Sequence, residues 1–105
     1  MSKMSSIETI NCLVQAELEL ASAKHGGKFS SHHEAYAVLL EEFTEMSVSM
    51  CTAEQCMDKY WNHVMYDWFE KIDQPLNEME TFMIQVIQEG IQVLAMIEKA
   101  RKYIK

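Results

Sequence analysis

Glu41, Glu42 and Glu45 fall within five residues of one another, and Glu89 stands alone inside the apolar run from Met83 to Met96. On a helix, Glu42 and Glu45 are three apart and Glu41 and Glu45 four apart, so both pairs share a face. Like charges at those spacings repel by a few tenths of a kcal/mol, roughly, and a bound divalent cation would remove that repulsion. Mg²⁺ takes hard oxygen ligands and commonly bridges to phosphate groups. The plain alternative is a solvated acidic face. Glu89 lies on the stripe Phe82, Val86, Glu89, Val93 and Met96, with no Lys or Arg within one turn on its own helix. A buried lone carboxylate is costly, so such a group is paired, protonated or metal-bound. Otherwise it faces solvent at the edge of the apolar arc or meets a cation from another helix. Glu17 falls beside Val14, Leu18 and Ala21 and reads as a boundary residue or as a ligand from a second direction.

Other site chemistries find little footing. The histidines are His25, His32, His33 and His63, and none completes His-Glu-x-x-His or follows a Glu by three residues as in di-iron bundles. No Gly-rich phosphate loop and no G-x-S-x-G elbow occurs. Cys12, Cys51 and Cys56 form no CxxC pair, which reads as free thiols in a reducing compartment.

The elements that would position these carboxylates are helices. One Pro and three Gly in 105 residues leave few breaks for a many-turned β fold. A first helix is expected over 6–24, capped by Ser5 with Glu8 and stopped by Gly26-Gly27. Its expected apolar face is Ile7, Ile10, Leu13, Val14, Leu18 and Ala21. A second helix follows Ser31, which has capping-box spacing to Glu34, and presents Tyr36, Leu39, Leu40, Phe43, Met46 and Met50 on one face. Thr52 and Gln55 repeat the capping pattern, so a break is expected near Met50, with one long helix as the alternative. The third helix carries the most regular stripe, from Ala53 through Cys56, Met57, Tyr60, Trp61, Val64, Met65, Trp68 and Phe69 to Ile72. Pro75 marks the next junction, and a fourth helix spans 76–103. Its Lys99, Arg101, Lys102 and Lys105 suit the negative end of the helix dipole. The expectation is an all-α single domain over 1–105.

The formal net charge of −7 argues against a diffuse nucleic-acid interface. An acidic chain still takes a phosphate ligand where metal ions stand between the anions. No apolar run reaches the length of a membrane span and no signal core opens the chain, so the expected location is cytoplasmic. The apolar surface of the third and fourth helices exceeds what a monomer of this length covers, which predicts a homodimer or larger.

Two segments carry a family resemblance. Lys24-His-Gly-Gly-Lys-Phe-Ser-Ser-His-His-Glu-Ala-Tyr-Ala-Val-Leu-Leu-Glu-Glu-Phe-Thr-Glu45 resembles a segment of the small MazG-like proteins of the all-α nucleoside triphosphate pyrophosphohydrolase superfamily. Glu89-Gly-Ile-Gln-Val-Leu-Ala-Met96 is similar to a later helix of the same proteins. The resemblance implies a four-helix bundle completed by oligomerisation. It further implies Mg²⁺-dependent cleavage of an NTP or dNTP to the monophosphate and pyrophosphate. The superfamily's E-x-x-E and E-x-x-D metal motifs, carried over position by position, fall on Glu42, Glu45, Glu89 and Gln92. Gln92 departs from the expected Asp and offers a neutral oxygen in place of a charge. In that scheme Glu41 is the base or an outer-shell group, and Lys24 and Lys28 reach phosphate oxygens. The alternative is a catalytically weak or inactive helical module that senses nucleotide or binds a protein partner.

Overall fold

The computed structural model describes residues 4–103, except the side chains of Lys24, His25 and Tyr103. Among them there is no strand. There are three long helices, α1 (Ser6–His25), α2 (His32–Met65) and α3 (Asp73–Tyr103), and one 3-10 turn, Phe69–Lys71. No helix among the described residues is long and apolar enough to cross a membrane.

Local hydrogen bonding explains the helix ends. Ser5 Oγ accepts from the Glu8 N–H at 3.1 Å, and the Glu8 carboxylate accepts from the Ser5 N–H at 3.4 Å, closing a capping box. Ser5→Ala should lower stability by roughly 1 kcal/mol, seen as a lower denaturation midpoint. At the other end Gly26 adopts φ +84°, a conformation open to glycine, and its N–H donates to the Ser22 carbonyl at 3.0 Å. The cap of α2 is a variant of the expected box. Ser31 Oγ accepts from the Glu34 N–H, but the Glu34 carboxylate reaches Ser30, accepting from its hydroxyl at 2.7 Å.

The expected break near Met50 does not exist; α2 runs on for 34 residues. Thr52 Oγ1 donates to the Val48 carbonyl at 2.9 Å, one turn back, so the hydroxyl serves the helix interior and caps nothing. The third expected helix therefore merges with the second, and it ends earlier than residue 72. Asp67 takes a left-handed φ of +56°, its N–H donates to Val64 and the Trp68 N–H donates to His63 at 2.8 Å. This is a Schellman stop, with Asp in the place usually held by Gly. The last helix begins three residues before Leu76. Pro75 sits in its first turn, where N–H groups lack intrahelical partners anyway.

The chain divides into two compact units, one formed by residues up to Phe43 together with those from Glu89 on, the other by Thr44–Gln88. In the first unit Val14 and Leu18 of α1, Phe29 of the connection, Ala35 of α2, and Ala95 and Met96 of α3 form the core, with Ala21, Val38, Leu39, Ile91 and Ala100 against it. In the second unit Ala53 and Cys56 of α2 and Pro75 and Val86 of α3 are buried, and Lys59 pairs with Glu78 across the two helices at 3.1 Å.

The buried stripes are narrower than the expected apolar faces. On α2 it is Ala35, Val38 and Leu39 that meet the core, while Tyr36 is 68% exposed and Leu40 and Phe43 about half exposed. On α1, Ile7, Ile10 and Leu13 are exposed. Along the most regular stripe Met57, Trp61, Met65, Trp68 and Phe69 are exposed, Trp61 at 60%.

Candidate functional site

A cleft of about 670 Å³ opens in the first unit, and residues from all three helices line it. From α1 come Glu17, Leu20 and Ala21, from the connection Phe29, from α2 Glu34, Val38, Glu41 and Glu42, and from α3 Gln92, Met96 and Lys99. The spacing on each helix explains the convergence. Residues 38, 41 and 42 follow one face of α2, and 92, 96 and 99 follow one face of α3, so each helix presents one wall. Phe29 and Met96 belong both to this wall and to the core, which ties the shape of the cleft to core packing.

Three of the residues expected to do chemistry meet here: Glu41, exposed; Glu42, half-buried with its Oε2 sealed from solvent; and Gln92, half-buried. Glu45 is exposed and falls in the second unit. Glu89 is half-buried on α3, between the buried Val86 and Val93 in sequence. Its Oε1 is enclosed and has no hydrogen-bond partner among the described residues, and Glu89 does not line the cleft. Lys28 is exposed and away from the cleft lining, and the Lys24 side chain lies outside the described residues.

Among the described residues no three His, Cys, Asp or Glu side chains are grouped closely enough to hold a metal ion. The chemistry of the donors nevertheless suits a hard cation, since Glu41, Glu42 and Gln92 all present oxygen. Glu34 lines the same space, but its carboxylate is engaged with Ser30.

The position of Lys99 near the end of α3 suits a helix-end cation, but the structure places it otherwise. Its side chain is 4% exposed, with Nζ 4.3 Å from the centre of the Phe29 ring. The residues that serve the helix end are Arg101 and Lys102, both paired with Glu98, Lys102 at 2.6 Å. That hydrogen bond holds the Glu98 carboxyl below its ordinary pKa. Lys105 lies outside the described residues. The signal for Lys99 was its phase: it stands three residues after Met96 and seven after Gln92, on the wall of α3 that faces the core.

A second concavity, of about 490 Å³, lies in the second unit at the turn after α2, lined by His63, Asp67, Trp68, Phe69, Glu70 and Lys71. Trp68 stacks on Tyr66 at 5.0 Å and takes the edge of His63 at 5.6 Å. These contacts account for the aromatic side chains as a local cluster around the Asp67 stop.

Comparison with protein-family models, curated proteins and solved structures finds no match to this chain.

Proposed function

We propose that the chain is a Mg²⁺-dependent nucleoside triphosphate pyrophosphohydrolase of the MazG-like kind, cleaving an NTP or dNTP to the monophosphate and pyrophosphate. The observation that supports this reading most is the cleft itself. It has the volume of a small-molecule site, and it gathers Glu41, Glu42 and Gln92 with a buried lysine, Lys99. The two segments that resemble the superfamily supply one wall each.

In this reading Glu42 of α2 and Gln92 of α3 would hold Mg²⁺, while Glu45 and Glu89, the other two positions of the superfamily motif, do not line the cleft. The metal when bound neutralises phosphate charge and lowers the pKa of an attacking water. Glu41, an exposed residue of the lining, would accept the proton of an attacking water or orient it. The apolar wall of Leu20, Val38 and Met96 excludes bulk water from one side. Pyrophosphate release across a panel of NTPs and dNTPs with Mg²⁺ is the test, and no turnover above Glu42→Gln would reject the reading.

Two observations favour a second reading, a non-catalytic nucleotide-sensing or protein-interaction module: Gln92 brings no charge, and Glu45 is exposed outside the cleft lining. It predicts nucleotide binding without hydrolysis, or no melting shift with Mg²⁺ and nucleotide.

The protein is further proposed to be a homo-oligomer. Tyr36, Leu40 and Phe43 on α2, and Met57, Trp61 and Met65 further along it, leave more large apolar side chains exposed than scattered surface residues explain. Light scattering at micromolar concentration should give a dimer mass or larger, and a clean monomer mass would reject this.

A further inference from the structure

We propose that Lys99 is the anion-contacting group of the cleft, the side chain that meets the phosphates of a bound triphosphate. The proposal rests on the pyrophosphohydrolase reading for the identity of the ligand, but its observations are separate from the carboxylates. Lysine is almost never fully buried unless paired. Here the side chain is 4% exposed and lines the cleft, and among the described residues its ammonium has no hydrogen bond and no carboxylate within ion-pair distance. Its contact is the face of Phe29 at 4.3 Å. A cation–π contact offsets part of the desolvation of an ammonium but supplies no acceptor to its three donors, which are then open to a ligand or to water. Glu34, the carboxylate of the same cleft whose partner is seen, is turned to Ser30. The lysine is therefore buried along its length and set against an aromatic ring, with no protein acceptor among the described residues, beside a space large enough for a ligand.

The formal charges of the described lining residues say what that ligand must carry. Among them Glu17, Glu34, Glu41 and Glu42 bring four negative charges and Lys99 one positive. A bare polyanion would be repelled, and a bare cation would leave Lys99 as it is. A triphosphate that brings Mg²⁺ satisfies both, with the cation toward the carboxylates of α2 and phosphate oxygens toward Lys99 on α3. Lys99 is thus a binding residue on the α3 side of a cleft whose α2 side carries Glu41 and Glu42, and it would recognise phosphate whatever base is attached.

Inorganic triphosphate is the probe, because it lacks a base and a sugar. The full chain and its Lys99→Met, Lys99→Gln and Lys99→Arg forms would be titrated calorimetrically with triphosphate in Mg²⁺. Each would also be titrated with Mn²⁺ alone, followed by electron paramagnetic resonance. Loss of the ammonium should weaken triphosphate binding by about tenfold to a hundredfold, and Arg should restore most of it. Affinity for the metal alone should stay unchanged or rise, because a positive charge has left the cleft. A merely structural lysine would instead weaken both titrations together and lower Tm, and that result overturns the proposal. Met and Gln forms that bind triphosphate like the unaltered chain also overturn it, while Glu42-dependent pyrophosphate release would stand. If the unaltered chain binds no triphosphate, the proposal fails, and pyrophosphate release then decides the hydrolase reading by itself. Should Met or Gln fail to fold, the Arg form carries the test: its binding must stay within a few-fold of the unaltered chain, and a larger loss overturns the proposal.

Discussion

Glu42→Gln should lower pyrophosphate release by roughly 100-fold or more while leaving the fold intact. On the proposed reading Glu42 is a metal ligand, whose loss would remove several kcal/mol of charge stabilisation at the phosphates, and about 1.4 kcal/mol corresponds to each tenfold in rate. The side chain keeps its shape, and Glu42 lies on a half-buried face of α2 with one oxygen enclosed, so an amide of the same volume fits the same space. The measurement is a continuous pyrophosphate assay on the unaltered and altered chains, with circular dichroism to confirm equal helicity. Equal rates in the two would show that Glu42 does not hold the metal.

Leu18→Ala should cost about 2–5 kcal/mol of stability. Leu18 is buried in the core of the first unit with Val14, Phe29, Ala35, Ala95 and Met96. A domain of this kind has only about 5–15 kcal/mol in total, so the loss is a large fraction of it. Phe29 and Met96 also line the cleft, so collapse into the vacated space would move its walls. The expected result is a strongly lowered denaturation midpoint with an unchanged urea m-value, together with weaker triphosphate binding. A shift of less than about 1 kcal/mol would place Leu18 outside the cooperative core.

Helix content was legible in the residues because its signals are local. Ser5 with Glu8, Ser31 ahead of Glu34, and Gly26 each act through hydrogen bonds within a few residues, and each was found where its spacing put it. The errors arose where one residue has two local uses. Thr52 has the chemistry of a cap and of a helix interior, and only the conformation of its neighbours decides which. Asp67 stops α2 in a conformation that sequence patterns assign to glycine. How far the buried stripe extends was not legible: of the expected α2 face Leu39 packs on the core, while Tyr36, Leu40 and Phe43 are exposed and the smaller Ala35 and Val38 take the buried positions.

The same limit applies to the site. Glu41 and Glu42 with Gln92 were marked by charge, spacing and resemblance, and they share the cleft. Lys99 was hidden, because a lysine near a helix end has a sufficient electrostatic reason to be there. Its burial comes from the meeting of α3 with Phe29, a residue 70 positions earlier in the chain.

The most direct test is a crystal of the full chain grown with a non-hydrolysable triphosphate and Mn²⁺ in place of Mg²⁺. The predicted result is an anomalous peak in the cleft, coordinated by Glu42 and phosphate oxygens, with Lys99 Nζ within hydrogen-bond distance of a phosphate. Triphosphate and metal bound elsewhere on the molecule, with the cleft of Glu41, Glu42 and Lys99 left to solvent, would contradict it.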